Sequence, residues 1–150
     1  MARWQRMRGF TLLEMLAVML IMAVGMSLLA SSINHGLSAA RDRQAGRDLT
    51  LALRTARSQA ISQGRAVYVR LDILDKRFQI SGAPVQSLPT DMTIRATTAA
   101  GQVPHEAVFA FYPDGASSGG NVYLEREDRA WRIDVAWLTG MAVWHEITPL

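Results

Sequence analysis

Two hydrophobic periods divide this chain. From Phe10 to Ile33 nearly every position is apolar, and Glu14 is the one charged residue. A helix needs roughly 20 such residues to cross a bilayer, whereas a cleavable signal peptide carries about 7 to 15. The run therefore predicts a membrane anchor over 10–33. The helical pattern continues beyond it without a proline until Pro84. Leu37, Ala40, Ala45, Leu49, Ala52, Ala56 and Ala60 outline one face, and Arg41, Arg43, Arg47, Arg54 and Arg57 are assigned to the opposite, solvated side. One helix is predicted from about Phe10 to Gln63, capped by Gly64.

After Gly64 the period becomes two. Val67, Val69 and Leu71 alternate with Tyr68, Arg70 and Asp72, and a turn at Asp75-Lys76 leads to Phe78 and Ile80, so a hairpin is expected. Met92 with Ile94, and Phe109 with Phe111, predict two further strands. Val122 and Leu124, a turn at Glu127-Asp128, and Trp131, Ile133, Val135 and Trp137 predict a second hairpin, followed by a turn at Gly140 and a last strand over 141–144. The Ser-, Thr-, Gly- and Pro-rich segments 81–91 and 96–106 read as loops. The expected class is α+β: a long N-terminal helix packed on antiparallel strands, arranged in two small sheets.

The motif Arg8-Gly9-Phe10-Thr11-Leu12-x-Glu14 resembles the leader junction of the type IV pilin superfamily. That resemblance implies a leader over 1–9, cut by a prepilin peptidase between Gly9 and Phe10, with methylation of the new amine. Physical chemistry gives Glu14 a matching role. A charge at mid-bilayer costs about 2.5 to 3.5 kcal/mol on insertion scales, and no cation lies within the run. A freed amine on Phe10 would be positive near neutral pH, and a pair at about 4 Å gains roughly 4 kcal/mol at an intermediate dielectric. The resemblance assigns Glu14 to the amine of a neighbouring subunit during filament assembly.

A second match narrows the branch. Phe111-x-Pro113-Asp114-Gly115-x-Ser117-x-Gly119-Gly120, followed by Val135-x-Trp137-Leu138-Thr139-Gly140, is similar to the pattern of H-type minor pseudopilins of type II secretion and of their FimT-like relatives in pilus systems. Read from its residues alone, the first segment is a connection between two strands: it lacks the lysine and the following helix of a phosphate cradle. The resemblance implies a structural subunit of a periplasmic pseudopilus that helps to export folded proteins. Its partners would be minor and major pseudopilins, the prepilin peptidase, the inner-membrane assembly platform and secreted substrate.

Charge separates this reading from its rival. The chain has 16 basic and 13 acidic residues; without Arg3, Arg6 and Arg8 the two signs are equal at 13 each. The basic excess thus belongs to the leader, and positive flanks stay cytoplasmic, which places 34–150 in the periplasm as the globular domain of an inner-membrane protein. The alternative is a FimT-like minor pilin that assists pilus assembly or binds DNA for uptake. Such binding needs clustered basic residues, and 143–150 contains none. Cysteines are absent, so packing alone must stabilise the domain. His35, His105 and His145 have no ligand spacing, Glu125, Glu127 and Asp128 read as a solvated turn, and no nucleophile has a base beside it. No enzyme activity, metal or cofactor is expected. Met15, Met19, Met22 and Met26 share one face of the anchor, suited to lipid or to varied protein partners.

The processing expectation is checked by mass spectrometry of membrane-extracted protein. It should begin at N-methylated Phe10; an intact Met1 terminus in cells with an active prepilin peptidase would contradict the leader assignment.

Overall fold

The computed structural model describes residues 11–100, 102–103, 105–127 and 129–148, with the side chains of 28–37 and 102–103 excepted. Helix α1 spans Leu12–Gln63. Its first turn is held by Thr11, which precedes it: the Glu14 amide donates to Thr11 Oγ1 at 3.3 Å and to Thr11 O at 3.1 Å. Thr11-x-x-Glu14 is therefore also a helix-capping sequence. At the other end Gly64, at φ +64°, terminates the helix as expected.

The chain divides into two compact units, 1–39 and 40–150. In the first, the side chains of 12–24, 26 and 27 are exposed on every face of α1. In the second, α1 buries Ala45, Leu49, Ala52, Leu53, Ala56 and Ala60. Five of these were expected; Leu53 joins them, and Ala40 is exposed instead. The stripe shares one core with the buried residues of the strands.

Strands β1 (Val67–Asp72), β2 (Arg77–Ile80), β3 (Gln86–Ser87), β5 (Gln102–Val103) and β6 (Glu106–Phe111) form one sheet in the order β3-β2-β1-β6-β5. Strands β4 (Thr93–Thr98), β7 (Gly120–Arg126), β8 (Arg129–Val135) and β9 (Ala142–Ile147) form the second, in the order β4-β7-β8-β9. All pairings are antiparallel. The alternation in β1 is strict, with Val67, Val69 and Leu71 buried, and register pairs Val69 with Ile80 on one side and with Phe109 on the other.

The two segments expected to be loops each contain strand. Residues Gln86–Ser87 pair with Arg77 and Phe78. Strand β4 continues through Thr98, and β5 pairs with the start of β6. The polar, threonine-rich composition of 96–98 suggested a loop, but β-branched threonine suits a pleated edge, and Thr98 turns its hydroxyl inward, where Oγ1 donates to Val108 O at 2.8 Å. That bond links β4 of one sheet to β6 of the other.

Buried residues of both sheets and of α1 make one core. Trp131, Phe109 and Phe111 are its largest fully buried side chains and carry the greatest apolar area per residue. One charge lies within it: Asp42 of α1 is fully buried. Arg126 Nη1 donates to Asp42 Oδ1 at 2.8 Å, Arg129 Nη2 lies 3.5 Å from Asp42 Oδ2, and Arg126 also pairs with Asp91. The hydrogen bond to Asp42 holds the Arg126 guanidinium above the usual arginine value. Because that value is raised, its contribution is complete below the unfolded-state arginine value and is lost only as pH climbs through the higher folded one. Arg126 therefore keeps its charge at every physiological pH.

Asp42→Ala should destabilise the domain by about 3 kcal/mol, because removing one partner strands guanidinium charge in a site with little water. Thermal unfolding should show a fall of roughly 10 °C or more. Replacing both partners, as Asp42→Leu with Arg126→Met, should recover much of the loss.

Candidate assembly site and the interlocking loops

Gly9 and Phe10, the expected processing residues, lie outside the described residues. Glu14, the expected assembly residue, stands exposed at the third position of α1. A carboxylate in the first turn is favoured by the helix dipole, and its own amide completes the cap described above. Its neighbours Leu12, Leu13, Met15 and Leu16 are all exposed, and no basic residue occurs between Thr11 and Asn34. The carboxylate therefore has no cation on its own stretch of helix, and a pairing cation has to come from another segment or another chain. Met15, Met19, Met22 and Met26 are likewise exposed.

The second candidate, the glycine-rich segment, is the crossing from β6 in the five-stranded sheet to β7 in the four-stranded one, the strand connection expected of it. Asp114 Oδ1 accepts from the Ala116 amide at 3.0 Å, and Tyr112 N donates to Ala116 O at 2.9 Å, closing the turn. Ser117 then ties this loop to the β8–β9 loop: its amide donates to Trp137 O at 2.8 Å and its hydroxyl to Ala136 O at 3.0 Å. Ser118 reaches back, its Oγ accepting from Ala110 N at 3.1 Å and lying 3.2 Å from Thr98 Oγ1. Gly120, at φ +135°, passes so close to β4 that a Cβ would overlap the Thr97 carbonyl oxygen. Only glycine fits there.

Helix α1 supplies the keystone. Arg57 Nε donates to Thr139 O at 2.7 Å and to Gly115 O at 3.2 Å, one carbonyl from each loop, and Arg54 Nε donates to Ala142 O at 2.9 Å. Nearby, Arg47 lies 6.0 Å from the Trp144 ring centroid, while Gly46 leaves room for the indole, whose Nε1 would stand 2.8 Å from an added Cβ. These arginines had been assigned to a solvated face; Arg54 is exposed as expected while also bonding a carbonyl, and the structure corrects the assignment for Arg57, which is half-buried between the loops. The geometry was available in the sequence, since each follows a buried residue, Leu53 or Ala56, by one position and so leaves the helix about 100° away, at the margin of the buried stripe.

The acidic turn differs from expectation at Glu125, while Glu127 is exposed as expected. Glu125 pairs with Arg95 across β4 and β7, and Arg95 packs 5.2 Å from the Tyr123 ring. Glu127 has φ 49° in the turn, and Asp128 lies outside the described residues. His105 and His145 are exposed. Among the described residues no three potential ligands cluster to hold a metal ion.

A long N-terminal helix forming one wall of a two-sheet antiparallel domain defines a pilin-like subunit. Solved structures share it: the minor pseudopilin EpsH from the type 2 secretion system of Vibrio cholerae, with TM-score 0.55 and 11% identity over 73% of this chain and 98% of that one. The type IV minor pilin FimU of Pseudomonas aeruginosa matches with TM-score 0.58 and 16% identity over 75% and 95%. More specifically, the chain belongs to the Type II transport protein GspH family, whose model matches residues 45–139. The prokaryotic N-terminal methylation motif matches residues 4–30. Type II secretion system protein H of Xanthomonas campestris pv. campestris is 35% identical over 139 residues, covering 91% of this chain and 82% of that protein. The family read from the leader and the glycine-rich segment is borne out.

The interlocking loops predict unequal mutational effects. Arg57→Ala should cost about 2 kcal/mol, as two carbonyls lose a charged donor, with Arg57→Lys intermediate because its point charge lacks the planar fork. Gly120→Ala should be worse, at least about 3 kcal/mol, since strain and overlap with backbone combine. Chemical denaturation of each variant reads both effects.

Proposed function

We propose that this chain is a minor subunit of the periplasmic pseudopilus of a type II secretion system, held in the inner membrane by residues 10–33 after loss of a leader over 1–9. The observation that carries the anchoring is the helix of the first unit. It is apolar on all its exposed faces, a pattern that water disfavours and lipid or packed helices accept. Among the described residues no helix is long and apolar enough to cross a membrane. Within the expected anchor, side chains are described only from Thr11 to Ser27, about 25 Å of helix, and the anchor includes residues 28–33, which continue the apolar sequence.

In this reading the first unit polymerises and the second presents a surface. Glu14, lacking a cation on its own stretch of helix, pairs with the Phe10 amine of a neighbouring subunit and sets its register. The role is structural: prepilin peptidase and the assembly platform supply processing and energy, and no catalytic step is assigned to this chain. The DNA-binding alternative is weakened by the loops, because Arg54 and Arg57 direct guanidinium donors at the domain's own carbonyls instead of at phosphates.

Deleting the gene and assaying secretion beside twitching and DNA uptake separates the two systems. Loss of secretion alone is expected; loss of uptake with secretion intact would select the pilus reading. Complementation with Glu14→Ala should restore processed protein in the membrane, since a more apolar anchor inserts at least as well, but it should leave secretion at least about tenfold lower, the effect of losing roughly 1.4 kcal/mol of pairing. Full secretion would remove Glu14 from assembly.

A further inference from the structure

The five-stranded sheet carries a recess of about 250 Å³ on β1, β2 and the start of β6. Strict alternation in β1 sends Val69 and Leu71 into the core and leaves Arg70 and Asp72 on the outer face. Register then sets Asp72 directly opposite Glu106 of β6 and, on its other side, opposite Arg77 of β2. Asp75 lines the same recess from the β1–β2 turn. Its amide donates to Asp72 Oδ1 at 2.8 Å, which pins the Asp72 carboxylate in place.

These charges are left open. Arg70 Nε stands 3.9 Å from Glu106 Oε1, and Arg77 Nη1 stands 3.8 Å from Asp75 Oδ2, both beyond hydrogen-bond reach. By contrast, Arg126 closes on Asp42 at 2.8 Å and Arg132 on Asp134 at 2.7 Å. Setting Asp72 against Glu106 is itself unfavourable, because like charges directly opposed across a strand pair repel. Exposed pairs as loose as these contribute almost nothing to stability. The fold therefore gains little from this arrangement.

We propose that the recess binds a small zwitterion, a primary ammonium joined through a few bonds to a carboxylate or a phosphodiester. The anion closes on Arg70, and the ammonium fills the gap between Asp72 and Glu106 and removes their repulsion. Each contact is a charge-assisted hydrogen bond, roughly twice as strong as a neutral one. Neither half of the ligand suffices: a lone anion meets the carboxylates of Asp72, Asp75 and Glu106, and a lone cation meets the guanidiniums of Arg70 and Arg77. Arg70 and Asp72 lie two residues apart on one strand, about 7 Å at the backbone, so the ligand's charges are separated by a short linker. Phe78 and Val85 add apolar lining, and the volume suits a ligand below drug size. A dissolved amino acid and the headgroup of a zwitterionic phospholipid both carry this chemistry.

The test titrates the isotope-labelled full chain, in a non-ionic detergent, with β-alanine and with glycerophosphoethanolamine, following backbone amides by NMR. Saturable shifts centred on β1, β2 and the start of β6 are expected, with affinity at least about tenfold lower in Arg70→Gln and in Asp72→Asn, the effect of losing one charged hydrogen bond. Both variants should melt at the parental temperature. Ethanolamine and dimethyl phosphate, each alone, should bind at least about tenfold more weakly than the zwitterion. Vesicles of phosphatidylethanolamine that displace the free probe identify a headgroup as the source; a free probe that they leave bound identifies a solute. Absence of saturable shifts with both probes would overturn the proposal, as would shifts centred elsewhere in the domain, equal binding of either half, or an affinity unchanged in either variant.

Discussion

The alanine-rich stripe of α1 is the surface on which both sheets depend. Each sheet buries one face, and the two share the core with Ala45, Leu49, Ala52, Leu53, Ala56 and Ala60. Removing that wall would expose Val69, Phe109, Leu124 and Ile133 together, beyond what the seam through Thr98 could hold. A nearly smooth alanine surface does not specify where along the helix the sheets should sit. Polar contacts supply that register. Asp42 receives Arg126 at the start of the second unit, Gly46 accommodates Trp144 one turn on, and Arg54 and Arg57 bind carbonyls toward the end. Apolar burial provides the driving force, which is non-directional, and the guanidinium contacts provide the direction.

This division explains how a family motif with the look of a binding loop serves the fold. Asp114, Ser117, Ser118 and Gly120 each satisfy or avoid a backbone group where the chain passes from one sheet to the other. Arg57 then couples the crossing to α1. Residues that look catalytic in type are occupied with hydrogen bonds that an inter-sheet crossing would otherwise leave unmade, and such buried gaps are expensive.

Much of this was legible in the sequence, for identifiable reasons. The helix, its end at Gly64 and both hairpins follow from periodicity because each has one buried face, except that Trp137, expected to extend the second hairpin, lies exposed in the turn beyond β8. The short strands β3 and β5 were not, since two residues cannot display a period, and the strand character of Thr97 and Thr98 comes from tertiary partners, Asn121, Gly120 and Val108. Arg57 was misplaced because charge was taken to mean solvent, although its angular position put it at the margin of the stripe. The buried Asp42 left no periodic trace, for its partners lie on the β7–β8 hairpin, far away in sequence. For the assembly residues, the sequence motif and the apolar surroundings of Glu14 carry the argument, with Gly9 and Phe10 outside the described structure.

The central claim is that α1 from about Asp42 onward is a wall of the core and not a separate stalk. Native-state hydrogen exchange on the detergent-solubilised chain tests it directly. Amides from Leu49 to Ala60 should exchange only through global unfolding, with the same opening free energy as those of Phe109 in β6 and Ile133 in β8. If the helical amides open at markedly lower free energy while the strands stay protected, the sheets hold their core without the helix and the account is wrong.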